Sequence, residues 1–359
     1  MKKLFLLPVF IISAQVALAA DSPVMVFGVV DNDVTYEKSN TAHLTSMGNS
    51  GNVFSKLGFR GAEDLGGGLA ASFWLEIGLF TNNGTTLSTN SSNAGAPSPG
   101  LFSRRSTISL ASDLGEIRPG RDYTPTFWNT ALFDPFGTGG GIGANHLYFD
   151  TLVNGFKPTG TRASDSIGYF LPNNLNGVYG QLMYAFGGQT SNVASSKDGD
   201  YSGGRVGYRD GRLDAALSYG VTEYASGNYG QSNLGLSYLF DSSMYSLKLM
   251  SEIYADSIGS VVPGIGSKRG SGALLGFTLP AGNGTLKGSY VWYSTNAANN
   301  PFSTRLSLGY VYSFSKLTSV YGTVAHINRN NGSTAYLGGI SDALIGSNAG
   351  LQAGFTKSF

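Results

Sequence analysis

Asn348-Ala349-Gly350-Leu351-Gln352-Ala353-Gly354-Phe355-Thr356-Lys357-Ser358-Phe359 alternates apolar and polar side chains. Leu351, Ala353, Phe355 and Phe359 fall on one face, interrupted by Lys357, and Gln352, Gly354, Thr356 and Ser358 fall on the other. A repeat of two is the side-chain period of a β-strand. In water an apolar strand face running to Phe359 would fray. It is stable if the strand closes a barrel in lipid, because closure leaves no unpaired edge.

The same repeat recurs toward the N-terminus. Leu69, Ala71, Phe73, Leu75, Ile77 and Leu79 are apolar, with Ala70, Ser72, Trp74, Glu76 and Gly78 between them. A lipid-facing Glu76 would be strongly unfavourable, so it is expected to point inward. Over 302–314 the outer set includes Leu306, Leu308 and Phe314, and the inner set Ser303, Arg305 and Ser307. A first strand is expected over 24–37, with Asp31 and Asp33 on the face opposite Val24, Val26, Gly28 and Val30. A long polar segment over 38–52 leads to a second strand at 53–61. Tight Gly, Asn and Asp turns alternate with long polar segments, the pattern of short turns on one rim and long loops on the other. Counting gives about 16 strands, an even number as this class requires.

Composition agrees. Hydrophobic residues make up 41% and charged residues only 13%, low in charge for a water-soluble chain. There are 52 glycines and no cysteine, so disulfides contribute nothing to stability in an exported chain. Lys2 and Lys3, an apolar run over 4–12 and Ala17-Leu18-Ala19-Ala20 read as a secretory signal. The expected division is a signal peptide over 1–20 and one barrel domain over 21–359. Without Lys2 and Lys3, 21 basic residues balance 22 acidic ones, which argues against a nucleic-acid partner.

One connection breaks the rhythm. Nearly forty residues separate the strands at 115–123 and 162–171, and they include Phe133-Asp134-Pro135-Phe136-Gly137. Loops this long without regular structure are usually functional, and on a barrel rim such a loop can fold inward. Parity set by neighbouring apolar residues places Lys56, Arg60, Arg105, Arg118 and Arg162 on the inner wall. Asp134, with Asp31 and Asp33, is expected to face them across a gap, where opposed charges select ions.

Other chemistries find little support. The glycines at 137–143 lack the following Lys-Ser/Thr of a phosphate loop. His43, His146 and His326 show no metal-ligand spacing, and His146 offers no convincing serine triad. No cofactor, metal or enzymatic activity is expected. An outer-membrane hydrolase and a loop-borne adhesin are the alternatives from other classes.

Several segments together resemble Gram-negative general porins, closest to the trimeric porins of β-proteobacteria. They are Gly28-Val29-Val30-Asp31, Lys56-Leu57-Gly58-Phe59-Arg60-Gly61 and Glu63-Asp64-Leu65-Gly66-Gly67-Gly68. Pro119-Gly120-Arg121-Asp122-Tyr123-Thr124-Pro125 and the terminal Gly-x-x-x-x-Phe complete the set. The resemblance implies an all-β, 16-stranded antiparallel transmembrane β-barrel with an inward-folded third loop, assembled as a homotrimer. Outer-membrane lipid and lipopolysaccharide would surround it, and small hydrophilic solutes and ions would pass through. It maps the basic side of the constriction to Lys56, Arg121 and Arg162, and the acidic loop tip to Asp134. Simple alternation from Ile117 turns Arg121 outward, whereas the resemblance turns it inward; a bulge would reconcile the two. The expected function is passive diffusion with mild anion preference.

Overall fold

The structure is a computed structural model that describes residues 24–90, 92–94, 100–137, 139, 141–145, 158–242, 245–259, 267–337 and 348–359. The expected signal peptide and His146 lie outside the described residues. In chain order the first strands are β1 Met25–Lys38, β2 His43–Asn49, β3 Lys56–Gly66, β4 Leu69–Phe80 and β5 Thr85–Thr86. Next come β6 Arg105–Ser112, β7 Gly115–Tyr123, helix α1 Pro125–Leu132, β8 Arg162–Phe170 and β9 Val178–Ala185. The wall continues with β10 Tyr201–Arg209, β11 Leu213–Thr222, β12 Tyr229–Asp241, β13 Ser246–Ile258 and β14 Lys268–Ala281. It ends with β15 Gly284–Thr295, β16 Phe302–Ser315, β17 Thr318–Asn330 and β18 Ala349–Ser358.

Consecutive wall strands pair antiparallel, and β18 returns to β1, in register from Val29 opposite Ser358 to Lys38 opposite Ala349. Gly28 and Phe359 exchange backbone hydrogen bonds of 3.0 and 3.1 Å, so pairing continues to the final residue. Both β2 and β3 pair with β1, β2 along one half and β3 along the other, and together they make one interrupted wall strand. The ribbon β5 touches only β4. Counted this way, the closed barrel has 16 strands. Closure leaves no unpaired sheet edge, the condition for backbone to cross hydrocarbon.

Side chains sort as the repeat of two requires. Leu306 and Leu308 point outward, and Ser303, Arg305 and Ser307 are buried inside. On β18, Leu351, Ala353 and Phe355 face out while Gln352 and Thr356 are buried. Strand boundaries differ from expectation at the second strand. The polar segment over 38–52 contains β2, and β3 runs on to Gly66. Backbone pairing beyond the apolar band needs no apolar side chains, so composition hides these extensions. The first strand likewise covers Met25–Lys38.

The long connection after β7 enters the barrel. It opens with α1, at a place where the sequence pattern suggests no regular structure. Pro125 takes the first helical turn, where a missing N–H is tolerated, and Trp128 N–H reaches the Thr124 carbonyl at 3.2 Å. The helix lies along the inner faces of β10 to β12 and reaches Glu252 of β13. Asn129 donates to the Ala216 carbonyl at 3.1 Å, and Thr130 donates to Glu252 at 3.0 Å. Asn233 donates to the Thr126 carbonyl at 2.9 Å. Phe133 is fully buried against Gly235, where any Cβ would collide with its ring. Further along, Ile142 joins Leu337 and Val291 in an apolar cluster inside the lumen. The helix and the described loop residues therefore line the wall from β9 round to β18, and the strands β3 to β8 form the side they do not line.

Candidate functional site

The open side carries the cations. Across the β3–β4 ladder Lys56 pairs with Gly78 and Gly58 with Glu76, so Lys56 and Glu76 are diagonal neighbours on the inner face. Glu76 is buried, as its parity requires, and accepts from Arg104 and, at 3.1 Å, from the Trp74 indole. Arg104 stacks 4.5 Å from the Phe54 ring and also donates to the Tyr123 hydroxyl. The same hydroxyl accepts from Arg162 at 3.0 Å, and the Arg162 guanidinium lies 4.4 Å from the Tyr123 ring centre. Lys56 is within electrostatic reach of Glu76, Arg104, Tyr123 and Arg162. Three cations thus surround one carboxylate and one phenol.

A second group lies beside it on β6 and β7. Arg105 pairs with Asp122 at 3.0 Å, and Arg118 pairs with Asp122 at 2.9 Å and with Glu116 at 2.7 Å. Two arginines meet two carboxylates, so this group is close to neutral, whereas the Lys56, Arg104, Arg162 and Glu76 group carries an excess of two positive charges. Arg60 belongs to neither group. It stacks on Phe27 and Trp74 at 5.5 and 5.2 Å, toward the short-turn rim.

Arg121 sits where register shifts between Gly120 and Asp122. Its guanidinium holds the Ser103 carbonyl at 2.8 Å, Asn90 at 2.9 Å and Ser164 at 2.8 Å. It braces the long loop after β4 against β8. Asp134 is buried and turned into its own loop. Its two oxygens accept from Phe136 N–H at 2.9 Å and Asn145 N–H at 2.7 Å, and burial lifts its pKa to about 7. Lys287 on β15 and Arg305 on β16 are the cations that act on it, and Lys287 also donates to Asn52 at 3.2 Å. Asp31 is engaged by Tyr321, Thr356 and the backbone of Gly51 and Val53, and Asp33 by Thr35 and Gln352. These carboxylates tie the β1–β18 seam and make no ion pair with the basic cluster.

Sequence reasoning missed Arg104, Tyr123 and Trp128. Alternation from Ile108 and Leu110 sends Arg105 inward and so would send Arg104 outward. The strand begins at Arg105, however, so the rule does not extend to Arg104. The adjacent Arg104-Arg105 pair at a strand start was the available signal. Among the described residues no group of His, Asp and Glu could hold a metal ion.

A family model described as Gram-negative porin matches residues 7–332. The chain belongs to the Gram-negative porin family. It is 33% identical over 369 residues to outer membrane porin protein 32 of Delftia acidovorans, covering 99% of each chain. It is 31% identical to part of an outer membrane porin of Bordetella pertussis, covering 56% of this chain and 49% of that one. A solved anion-selective porin from Comamonas acidovorans superposes with a TM-score of 0.79 at 31% identity, covering 94% of this chain and 100% of that one. OmpT of Vibrio cholerae, solved in a trimer form, shares the fold with a TM-score of 0.63 at 13% identity, covering 94% and 99%. The porin is therefore an outer-membrane channel of a Gram-negative bacterium and not an enzyme.

Proposed function

We propose that this porin is a general diffusion channel for small hydrophilic solutes and ions, mildly anion-selective, with its filter at Lys56, Arg104 and Arg162. The carrying observation is the local charge balance: three cations and Glu76 share the neck, while the flanking arginines are matched by Asp122 and Glu116. The likeness to the anion-selective Comamonas porin supports the same preference. Of the residues read from sequence, Lys56 and Arg162 keep a filter role on this reading. Arg105 and Arg118 shape the neutral wall, Arg60 lines the lower vestibule, Arg121 braces a loop, and Asp134 stiffens the inward loop. A homotrimer embedded in lipid and lipopolysaccharide, exported by a leader over residues 1–20, is part of the same proposal; the Vibrio channel of the same fold was solved in a trimer form.

Reversal potentials of the refolded channel in a KCl gradient test it. Anion preference that weakens as salt rises is expected, because screening shortens the reach of the neck charges. Cation preference at low salt would refute the assignment.

A further inference from the structure

Below the neck, on a wall strand that α1 packs against, lies another cation, Arg205. It sits on β10 opposite Gln181 of β9 and Ser218 of β11. Its guanidinium lies 5.1 Å from the Tyr179 ring centre and 5.7 Å from that of Trp128 on α1. Trp128 meets Tyr123 edge-on at 5.3 Å, and Tyr123 carries Arg162. On its other side Tyr179 carries Arg209 at 5.1 Å. A line of rings and guanidinium groups thus descends from the filter toward the short-turn rim, which in this class faces the periplasm.

The cations along it differ in their neutralisation. Arg209 pairs with Asp214 at 2.6 Å, and Tyr179 also donates to Asp214 at 2.6 Å. Among the described residues Arg205 makes no ion pair. Among the described residues its Nε–H and Nη1–H find no acceptor, and neither does the indole N–H of Trp128. A guanidinium held between two rings keeps its donors in a fixed orientation, and charge-assisted hydrogen bonds to an anion are the strong kind. By contrast Arg104, Arg105 and Arg118 each have a carboxylate, and Arg305 donates to the carbonyls of Ala144, Tyr336 and Leu337.

We propose that Arg205 and Trp128 form a second anion station on the exit side of the neck, taking small carboxylates and inorganic anions. It rests on the reading of Lys56, Arg104 and Arg162 as the filter and extends it by one step. An anion released by the filter is held transiently at Arg205 before the periplasmic mouth. Because the station is off-centre, it makes conduction asymmetric.

The full-length channel is compared in bilayers with R205Q, R205K, W128F and R162Q, in chloride and in acetate at low salt. R205Q is expected to lower low-salt conductance about twofold and to abolish the difference between the two voltage polarities, while R205K retains both. W128F, which keeps an aromatic ring in place and removes the indole N–H, should show a weaker loss of the same kind. R162Q should shift the reversal potential without removing the polarity difference. Wild-type behaviour from R205Q beside a shifted reversal potential in R162Q would overturn the station and leave the filter standing. No shift in either variant would overturn both. An effect confined to chloride would remove carboxylates from the ligand class. If R205Q fails to refold, wild-type conduction by W128F at both polarities overturns the station.

Discussion

Arg104, just before β6, and Arg162, at the start of β8, donate to one oxygen, the hydroxyl of Tyr123. Two like charges are held side by side by a neutral acceptor, and of the two only Arg104 is bonded to Glu76. Neighbouring cations repel, so their spacing depends on that shared oxygen. Y123F keeps the ring beneath both guanidinium groups and removes the acceptor. It should destabilise the channel by about 1–2 kcal/mol and make single-channel current noisier. Thermal unfolding in detergent and current variance check this; unchanged values for both would show that the hydroxyl does not set the spacing.

Neutralising Lys56 and Arg162 together removes the two excess positive charges of the neck. At ~8 Å in a water-like dielectric each unit charge contributes about 0.5 kcal/mol to a passing ion, or about twofold in permeability. The K56Q/R162Q channel should therefore lose most of its anion preference at low salt and pass slightly larger solutes. Reversal potentials and solute exclusion in liposomes read both effects.

Glu76 acts in the opposite direction. E76Q raises the local charge by one, so anion preference should rise by about twofold at low salt. It also leaves Arg104 buried without its carboxylate, a loss of about 3 kcal/mol. A variant more anion-selective yet less heat-stable is expected, measured by reversal potential and by the unfolding midpoint.

The pH dependence of the inward loop follows from Asp134. Burial raises its folded pKa to about 7, above the ordinary carboxylate value. The protonated form is thus favoured by folding. Its stabilising contribution is complete below the unfolded pKa near about 4 and disappears as pH rises through about 7. D134N should flatten the fall in stability between those limits, seen as a shallower plot of unfolding midpoint against pH. An identical slope in D134N would place the dependence elsewhere.

Gly235 gives the loop its seat. A Cβ there would collide with the ring of Phe133, so G235V should push the loop off β12 toward the open side. Conductance is expected to fall by about half if the lumen narrows by a side-chain layer. A stable barrel with wild-type conductance would mean that the loop can re-seat.

The barrel was legible because lipid enforces a repeat of two: Leu351, Leu306 and Ile77 could be assigned to their strands by period alone. Strand β2 was not legible, because above the apolar band nothing selects its side chains. Glu76, Lys56, Arg105 and Arg162 followed from parity within a strand. Arg104 did not, since it precedes the strand that would define its face. The partners of Asp31, Tyr321 and Thr356, were equally hidden, because they are distant in sequence and only folding brings them near.

The order of apolar and polar side chains alone determined that this chain forms a wall with lipid on one side and water on the other, because each inward or outward choice is local and repeats along every strand. Which cations keep a net charge at the neck was decided only by the closed barrel and its inward loop. Net charge depends on which carboxylate each arginine meets, and Arg104 meets Glu76 and Arg105 meets Asp122 only where neighbouring strands and the segment before them come together.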